Sequence, residues 1–147
     1  MKTVWNDPDY RELRGRLDRL IPTAAAQWGK FNAPQMVCHL TDSLKMASGE
    51  LHVPSKNLPI RFTPIKQVII YWAPFPKGAP TAPKLLERKP AAWEGEVDAL
   101  RRELDALVKR GPAGPWVPHP AFGKLTSKAW GVLVYRHMDH HLRQFGA

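Results

Sequence analysis

The chain has 147 residues, the size of one ordinary domain, and can bury a core without help from disulfides. Its single cysteine, Cys38, excludes an intrachain disulfide. The first residues contain no apolar stretch typical of a signal peptide, and the longest apolar run, residues 68–76, is too short to cross a bilayer. We therefore expect one domain, residues 1–147, that is cytoplasmic and has no membrane partner.

The net charge of +9 raises the question of a nucleic-acid partner, because Lys and Arg contacts to phosphates supply most non-specific affinity. The basic residues are spread along the chain and often stand beside acids, as in Arg101-Arg102-Glu103, and no nucleic-acid motif is present. Specific nucleic-acid binding is therefore not expected. The excess charge favours solubility and attracts anions, so the expected partner is an anionic small-molecule substrate.

Fifteen prolines, most of them between apolar stretches of helical period, indicate an all-α protein with long, rigid loops. Asp7 followed by Pro8 predicts the N-cap and first turn of helix one, which continues along an apolar stripe to Pro22. Asn32, with Gln35 as its capping-box partner, predicts the start of a second helix that ends before Gly49.

After a loop over residues 51–62, Thr63 and Pro64 repeat the cap-plus-proline pattern and predict a short, very apolar third helix up to Trp72. Residues 74–90 hold five prolines and predict a long non-helical excursion, of the kind that often roofs a site. The next helix runs over residues 92–110 and stops at Gly111. A rigid loop over residues 111–125 then leads to the last helix, which Thr126 caps and Gly146 ends.

The last helix carries the candidate metal ligands His137 and His141. They continue its buried stripe, and residues four apart on a helix have Cβ atoms roughly 5–6 Å apart, close enough for both imidazoles to reach one ion. The alternative is two core histidines with separate hydrogen bonds. His140 lies about 100° around the helix from His141, so we expect it to face solvent or a neighbouring helix.

His39, on the flank of the second helix, is the candidate third ligand, and the alternative is a histidine hydrogen-bonded to a nearby backbone group. Its neighbour Cys38 points about 100° away and is interpreted as a small core residue rather than a ligand or nucleophile. Asp42 and Asp139 are candidates for orienting an imidazole, although solvated helix acids are the more common case. His140 and His119 are weak candidates for a general base.

Three strings, Met36–Asp42, His119–Leu125 and Tyr135–Gly146, resemble the DinB superfamily of DinB/YfiT-like metalloenzymes, within a bacterial branch known only as a domain of unknown function. The similarity covers nearly the whole chain, and the C-terminal string is its most specific part. It implies an up-down-down-up four-helix bundle, here with an extra short helix and long proline-rich loops. It also implies a divalent metal held by His39, His137 and His141, and a homodimer.

Characterised members of that superfamily include transferases and isomerases that use low-molecular-weight thiols such as bacillithiol, mycothiol or glutathione. Many relatives have Arg-Gly-Gln after the last ligand, whereas this chain has Leu142-Arg143-Gln144, which changes the expected substrate and not the ligand set. The resemblance therefore predicts a metal-dependent thiol transferase or hydrolase, with zinc or nickel as the metal and a thiol as a possible second cofactor. The alternatives are a non-catalytic, metal-stabilised binding or stress-response module and a basic nucleic-acid accessory protein.

Overall fold

The computed structural model describes residues 1–78 and 80–147, and within these ranges the chain is helical without β-strands, as the sequence predicted. The α-helices in this part of the chain are α1 (Asp7–Leu17), α2 (Ala33–Ser48), α3 (Ile65–Tyr71), α4 (Trp93–Arg110) and α5 (Ser127–Gln144). The proline-rich excursion over residues 74–90 includes Ala79, which lies outside the described residues. In the described ranges, no helix combines the length and apolarity needed to cross a membrane.

Two of the predicted helix starts are confirmed in detail. The Asn32 side chain accepts the Gln35 backbone N–H at 2.8 Å, and the Gln35 side chain accepts the Asn32 N–H at 2.9 Å, which completes a capping box at the start of α2. The Thr126 hydroxyl accepts the Ala129 N–H at 3.1 Å and caps α5. These two helices carry the three candidate ligands, so local sequence signals set where the ligand-bearing segments begin.

The starts of α1 and α3 differ from the prediction. Asn6 rather than Asp7 caps α1, because Asn6 has extended backbone geometry and accepts the Asp9 N–H, and the helix ends at Leu17 rather than at Pro22. Thr63 does not cap α3. The Lys66 N–H instead bonds to the Phe62 carbonyl at 2.9 Å, so a backbone turn leads into that helix.

The loops also contain short helical segments that the sequence pattern did not predict. Three-ten helices occur at Pro59–Arg61 and at Pro83–Leu86, and the second interrupts the excursion that was predicted to be non-helical. Proline at the first position of each segment has its φ angle already fixed for such a turn. The Pro83–Leu86 segment packs against α2, so this part of the long loop lies on the ligand-bearing helix.

The core forms where α2 packs against α4 and α5, and where α1 and α3 pack against α5. Most of α2 is buried, including polar Thr41, because other elements cover several of its sides. In α3, by contrast, Ile70 is the buried residue, and Ile65, Val68 and the following Trp72 are exposed. Apolar periodicity therefore predicts that α3 is a helix but not which of its faces is covered.

An ion-pair cluster with two buried carboxylates fastens the proline-rich loop to the core. Arg88 donates to Asp42 at 2.9 Å and to Glu96 at 2.8 Å, and both carboxylates are buried. Burial raises the pKa of Glu96, but the Ala91 N–H and Arg88 outweigh it, so that the net pKa is lowered and the group stays charged. Asp42 is therefore not the solvated helix acid that the sequence suggested.

Cys38, one helical turn before Asp42, is the small core residue that the sequence predicted. It is buried, its thiol donates to the Arg88 carbonyl at 3.5 Å, and burial raises the pKa of the thiol to about 11. A thiol with such a pKa stays protonated at neutral pH, which disfavours both metal ligation and nucleophilic attack.

Gly131 allows the N-terminal segment to lie directly against α5. The Val4 N–H bonds to the Gly131 carbonyl at 3.2 Å, and the Trp5 indole donates to the Ser127 carbonyl at 2.8 Å. A Cβ atom at position 131 would overlap the Trp5 indole and the Thr3 hydroxyl. The glycine at this position is therefore required by packing.

We predict that Gly131→Ala lowers the free energy of unfolding by about 1–3 kcal/mol, because the N-terminal segment must move to accommodate the methyl group. Gly95→Ala, in α4, is the matched control. A Cβ there meets nothing within 4 Å, so the substitution should raise the free energy of unfolding by roughly 0.5–1 kcal/mol through helix propensity. Urea unfolding monitored by circular dichroism measures both values. A Gly131→Ala variant as stable as the parent would contradict the packing described.

Candidate metal centre

The structure brings His39, near the middle of α2, together with His137 and His141 on α5. The Nε2 atoms of His39 and His137 are 3.1 Å apart, and the three pairs of ring centroids are separated by 4.9–5.1 Å. One ligand nitrogen from each ring lies within 4.8 Å of the other two. Two nitrogens bound tetrahedrally to one ion at 2.0–2.1 Å are about 3.3 Å apart, so small adjustments would bring all three onto one cation.

Hydrogen bonds from the other ring nitrogens determine which atoms are free to bind a ligand. His141 Nδ1 lies 2.8 Å from Gln144 Oε1, and Gln144 Nε2 donates to the Trp28 carbonyl at 2.6 Å, which sets the orientation of the amide. His39 Nδ1 lies 3.4 Å from the Leu85 carbonyl. Because these oxygens only accept, both Nδ1 atoms carry the proton and both Nε2 atoms keep a free lone pair.

The same surroundings keep the three imidazoles uncharged. Burial lowers the pKa of His39, and burial together with the neighbouring imidazoles lowers the pKa of His141 to about 3. The pKa of His137 falls well below its ordinary value, first through burial and then through repulsion from His141 and His39. Metal ligation requires neutral imidazole, so near neutral pH these rings need lose no proton to bind a cation.

The walls of the cluster come from two loops, one directly before α2 and one before α4. The Phe31 ring, just before α2, lies 5.2 Å from the His39 ring and 5.8 Å from the His141 ring. Leu85, from the proline-rich loop, packs against the core and presents its carbonyl to His39. That loop therefore reaches the cluster, as expected of a segment that roofs a site. In the described ranges the cluster contains three ligand side chains and no fourth.

His140 lies beside the cluster rather than in it. Its ring centroid is 5.2 Å from that of His141, and on its other sides it contacts the rings of Trp28 and Phe75 at 5.6 and 6.0 Å. The sequence predicted that it would face solvent or a neighbouring helix, whereas these partners come from two loops. Burial lowers its pKa, so His140 is neutral and able to accept a proton. Its role as a general base stays a prediction.

His119, the second candidate base, is engaged in the structure of its own loop. Its Nδ1 atom accepts the backbone N–H groups of Ala121 and Phe122 at 3.1 and 3.2 Å, and its ring lies 5.5 Å from that of Trp130. Burial lowers its pKa to about 4. These contacts favour the loop-structuring interpretation, and a catalytic role for His119 stays a prediction without further support.

The residue that orients His141 is Gln144, which the sequence analysis did not single out. Asp139, proposed there, instead accepts from Arg16 at 2.6 Å and from Arg143 at 3.1 Å, and is mostly buried rather than solvated. Asp42 is held by Arg88. A glutamine three residues after a candidate ligand is on the same helix face and was the signal available in the sequence.

Comparison with known families identifies the chain's family. The model of the family described as "Protein of unknown function (DUF1569)" matches residues 7–147, which include all five helices and all three histidines of the cluster. No curated protein and no solved structure matches the chain significantly. The family match extends over nearly the whole chain and carries no assigned activity. The geometry of the histidine cluster is therefore the observation that bears on function.

We predict that Gln144→Leu weakens zinc binding roughly 10- to 100-fold, because His141 then loses the acceptor that fixes its tautomer and orientation. Competition titration with a chromophoric chelator measures the affinity, and circular dichroism checks that the helices persist. Gln67→Leu, which removes an exposed glutamine from α3, is the control and should leave the affinity unchanged. Equal zinc affinities in the two variants would contradict the orienting role of Gln144.

Proposed function

We propose that this chain, which belongs to the DUF1569 family, is a metal-dependent enzyme that acts on a small molecule. The observation that supports the proposal most directly is the approach of one ligand nitrogen from each of His39, His137 and His141 to within 4.8 Å of the others. Catalytic zinc sites typically have three protein ligands and one open position, whereas structural sites have four. A zinc or nickel ion held there would supply Lewis-acid chemistry, lowering the pKa of a bound water or thiol.

The protein's own groups around the cluster have distinct roles in this proposal. Gln144 and the Leu85 carbonyl orient two of the imidazoles, and Phe31 excludes water from one side of them. In this proposal His140 takes up a proton from the attacking group, which its neutral state and its position beside His141 support. Activation of a thiol or a water is the chemistry of a thiol-dependent transferase or a hydrolase. A low-molecular-weight thiol is therefore part of the proposal.

The proposal extends to the finer architecture that the DinB resemblance implies. We infer a single DinB-like domain in which α1, α2, α4 and α5 form the up-down-down-up bundle and α3 is the extra short helix. The packing of α2 against α4 and α5, and of α1 against α5, supports this arrangement. A cytoplasmic location and a homodimer remain part of the same proposal.

One observation favours a non-catalytic alternative, a metal-stabilised binding or stress-response module. The residues His39 and His141 are only 4% and 8% exposed, and deep burial is common for structural ions. The two functions differ in how metal and folding are coupled. Chelation should unfold a structural site, whereas a catalytic site should leave a folded apo protein.

We predict about one zinc per chain in the parent protein and none in His39→Ala, His137→Ala or His141→Ala, each of which should retain most of its helical content. Elemental analysis and circular dichroism measure these quantities. His140→Ala is the matched control on the same helix and should keep the metal.

Zinc-loaded protein should then transfer glutathione to 1-chloro-2,4-dinitrobenzene or hydrolyse 4-nitrophenyl acetate, and the three ligand variants should not.

Full zinc content in all three ligand variants would contradict the assignment of His39, His137 and His141 as metal ligands. Stoichiometric zinc, no turnover with either substrate type, and unfolding upon chelation would together favour the structural alternative over the enzyme.

A further inference from the structure

A groove beside the histidine cluster has a second set of chemical features that the metal centre does not use. Its volume is about 240 Å³, and its walls include Trp28, Phe75, Lys77, Arg136, His140 and Arg143. We propose that this groove binds a planar organic anion. That such an anion is the substrate rests on the proposed function, whereas binding itself does not.

The groove and the cluster are formed by neighbouring faces of α5. Arg136, His140 and Arg143 recur at intervals of four and three residues and so share one face of the helix, while His137 and His141 lie about 100° further around it. The rings of His140 and His141 are 5.2 Å apart. A molecule in the groove therefore lies next to the ligand-bearing face.

Aromatic rings favour a flat apolar body in the groove. The His140 ring lies 5.6 Å from the Trp28 ring and 6.0 Å from the Phe75 ring, at interplanar angles of 63° and 51°. Rings inclined in this way offer both faces and edges to a planar guest. The volume is below the roughly 300 Å³ of drug-sized sites, which limits the guest to one or two rings.

The charges at the groove favour an anion. Three cations, Lys77, Arg136 and Arg143, face one acid, Asp139, and Asp139 also accepts from Arg16 at 2.6 Å. Arg136 donates to backbone carbonyls, including that of Ile69 at 2.9 Å, which orients its charge without neutralising it.

Lys77 is the cation with the least compensation. Its ammonium lies 4.5 Å from the centre of the Trp28 ring, and within the described residues no carboxylate forms a salt bridge with it. No Asp or Glu occurs in the sequence between Glu50 and Glu87. A carboxylate on a bound molecule would provide the missing counter-charge.

Trp28 also has an unused donor. Its indole Nε1 is buried and bonds to no protein group among the described residues, although buried polar groups are normally paired. The backbone of Trp28 is held by the bond from Gln144, the residue that orients His141. Because this nitrogen is almost completely covered by protein, a guest could bond to it only after the indole shifts, and the proposed binding does not depend on that bond. A small inorganic anion would match the charges but leave the aromatic walls uncovered.

Isothermal titration of the full chain with 2-naphthoate tests the proposal, in zinc-loaded and in chelator-treated protein. Acetate supplies the charge without the rings, and 2-naphthylmethylammonium supplies the rings with the opposite charge. We expect 2-naphthoate to bind at least tenfold more tightly than either. Lys77→Glu should weaken its binding at least tenfold, and Phe75→Ala at least threefold.

Matched controls separate local from general effects. Lys128→Glu makes the same charge change at an exposed site in the first turn of α5, where an acid is tolerated, and Phe62→Ala removes an exposed ring outside the groove. Both should keep the parent affinity. The proposal is overturned if 2-naphthoate binds no better than the two comparison compounds, or if Lys77→Glu and Lys128→Glu weaken binding equally. If the protein binds 2-naphthoate but takes up no zinc, the result would support anion binding in the groove and contradict the proposed metal-dependent function.

Discussion

The convergence of uncharged imidazole nitrogens inside a helical core is the constraint on which the site depends. Two of these nitrogens, on His39 and His141, have their lone pairs fixed by hydrogen bonds on the far side of each ring. Lone pairs brought this close repel one another unless a proton or a cation lies between them. A proton on His137 can satisfy one of the two, whereas a cation satisfies all three rings at once.

The rest of the architecture holds these rings in place and brings loops to them. α2 supplies one imidazole and α5 two, and the α2–α5 packing sets their separation. Arg88, through its ion pairs with Asp42 and Glu96, fastens the proline-rich loop that presents the Leu85 carbonyl to His39. Substitution of Arg88 would therefore change the position of the Leu85 carbonyl beside His39 without altering a metal-ligating residue. Rigid elements with locked side chains are what a preorganised site requires.

How far the sequence predicts the structure depends on how local each interaction is. Asn32 and Thr126 cap partners three residues away, so their patterns were sufficient to place α2 and α5. The shared face of His137 and His141 follows from helical geometry, whereas the position of His39 on α2 made it only a candidate, which the resemblance then joined to the pair. The bond between Gln144 and the Trp28 carbonyl spans 116 residues, and that between Arg88 and Asp42 spans 46, so no local pattern predicts either. The exposed face of α3 was missed for a related reason, since burial depends on what packs against a helix.

Zinc K-edge X-ray absorption on the purified, zinc-loaded full chain tests whether three imidazoles share one cation. We expect three imidazole nitrogens at about 2.0–2.1 Å, with the multiple scattering typical of histidine rings and a further oxygen from solvent. A spectrum with two imidazoles or fewer, or with sulfur at about 2.3 Å from Cys38, would contradict the three-histidine site.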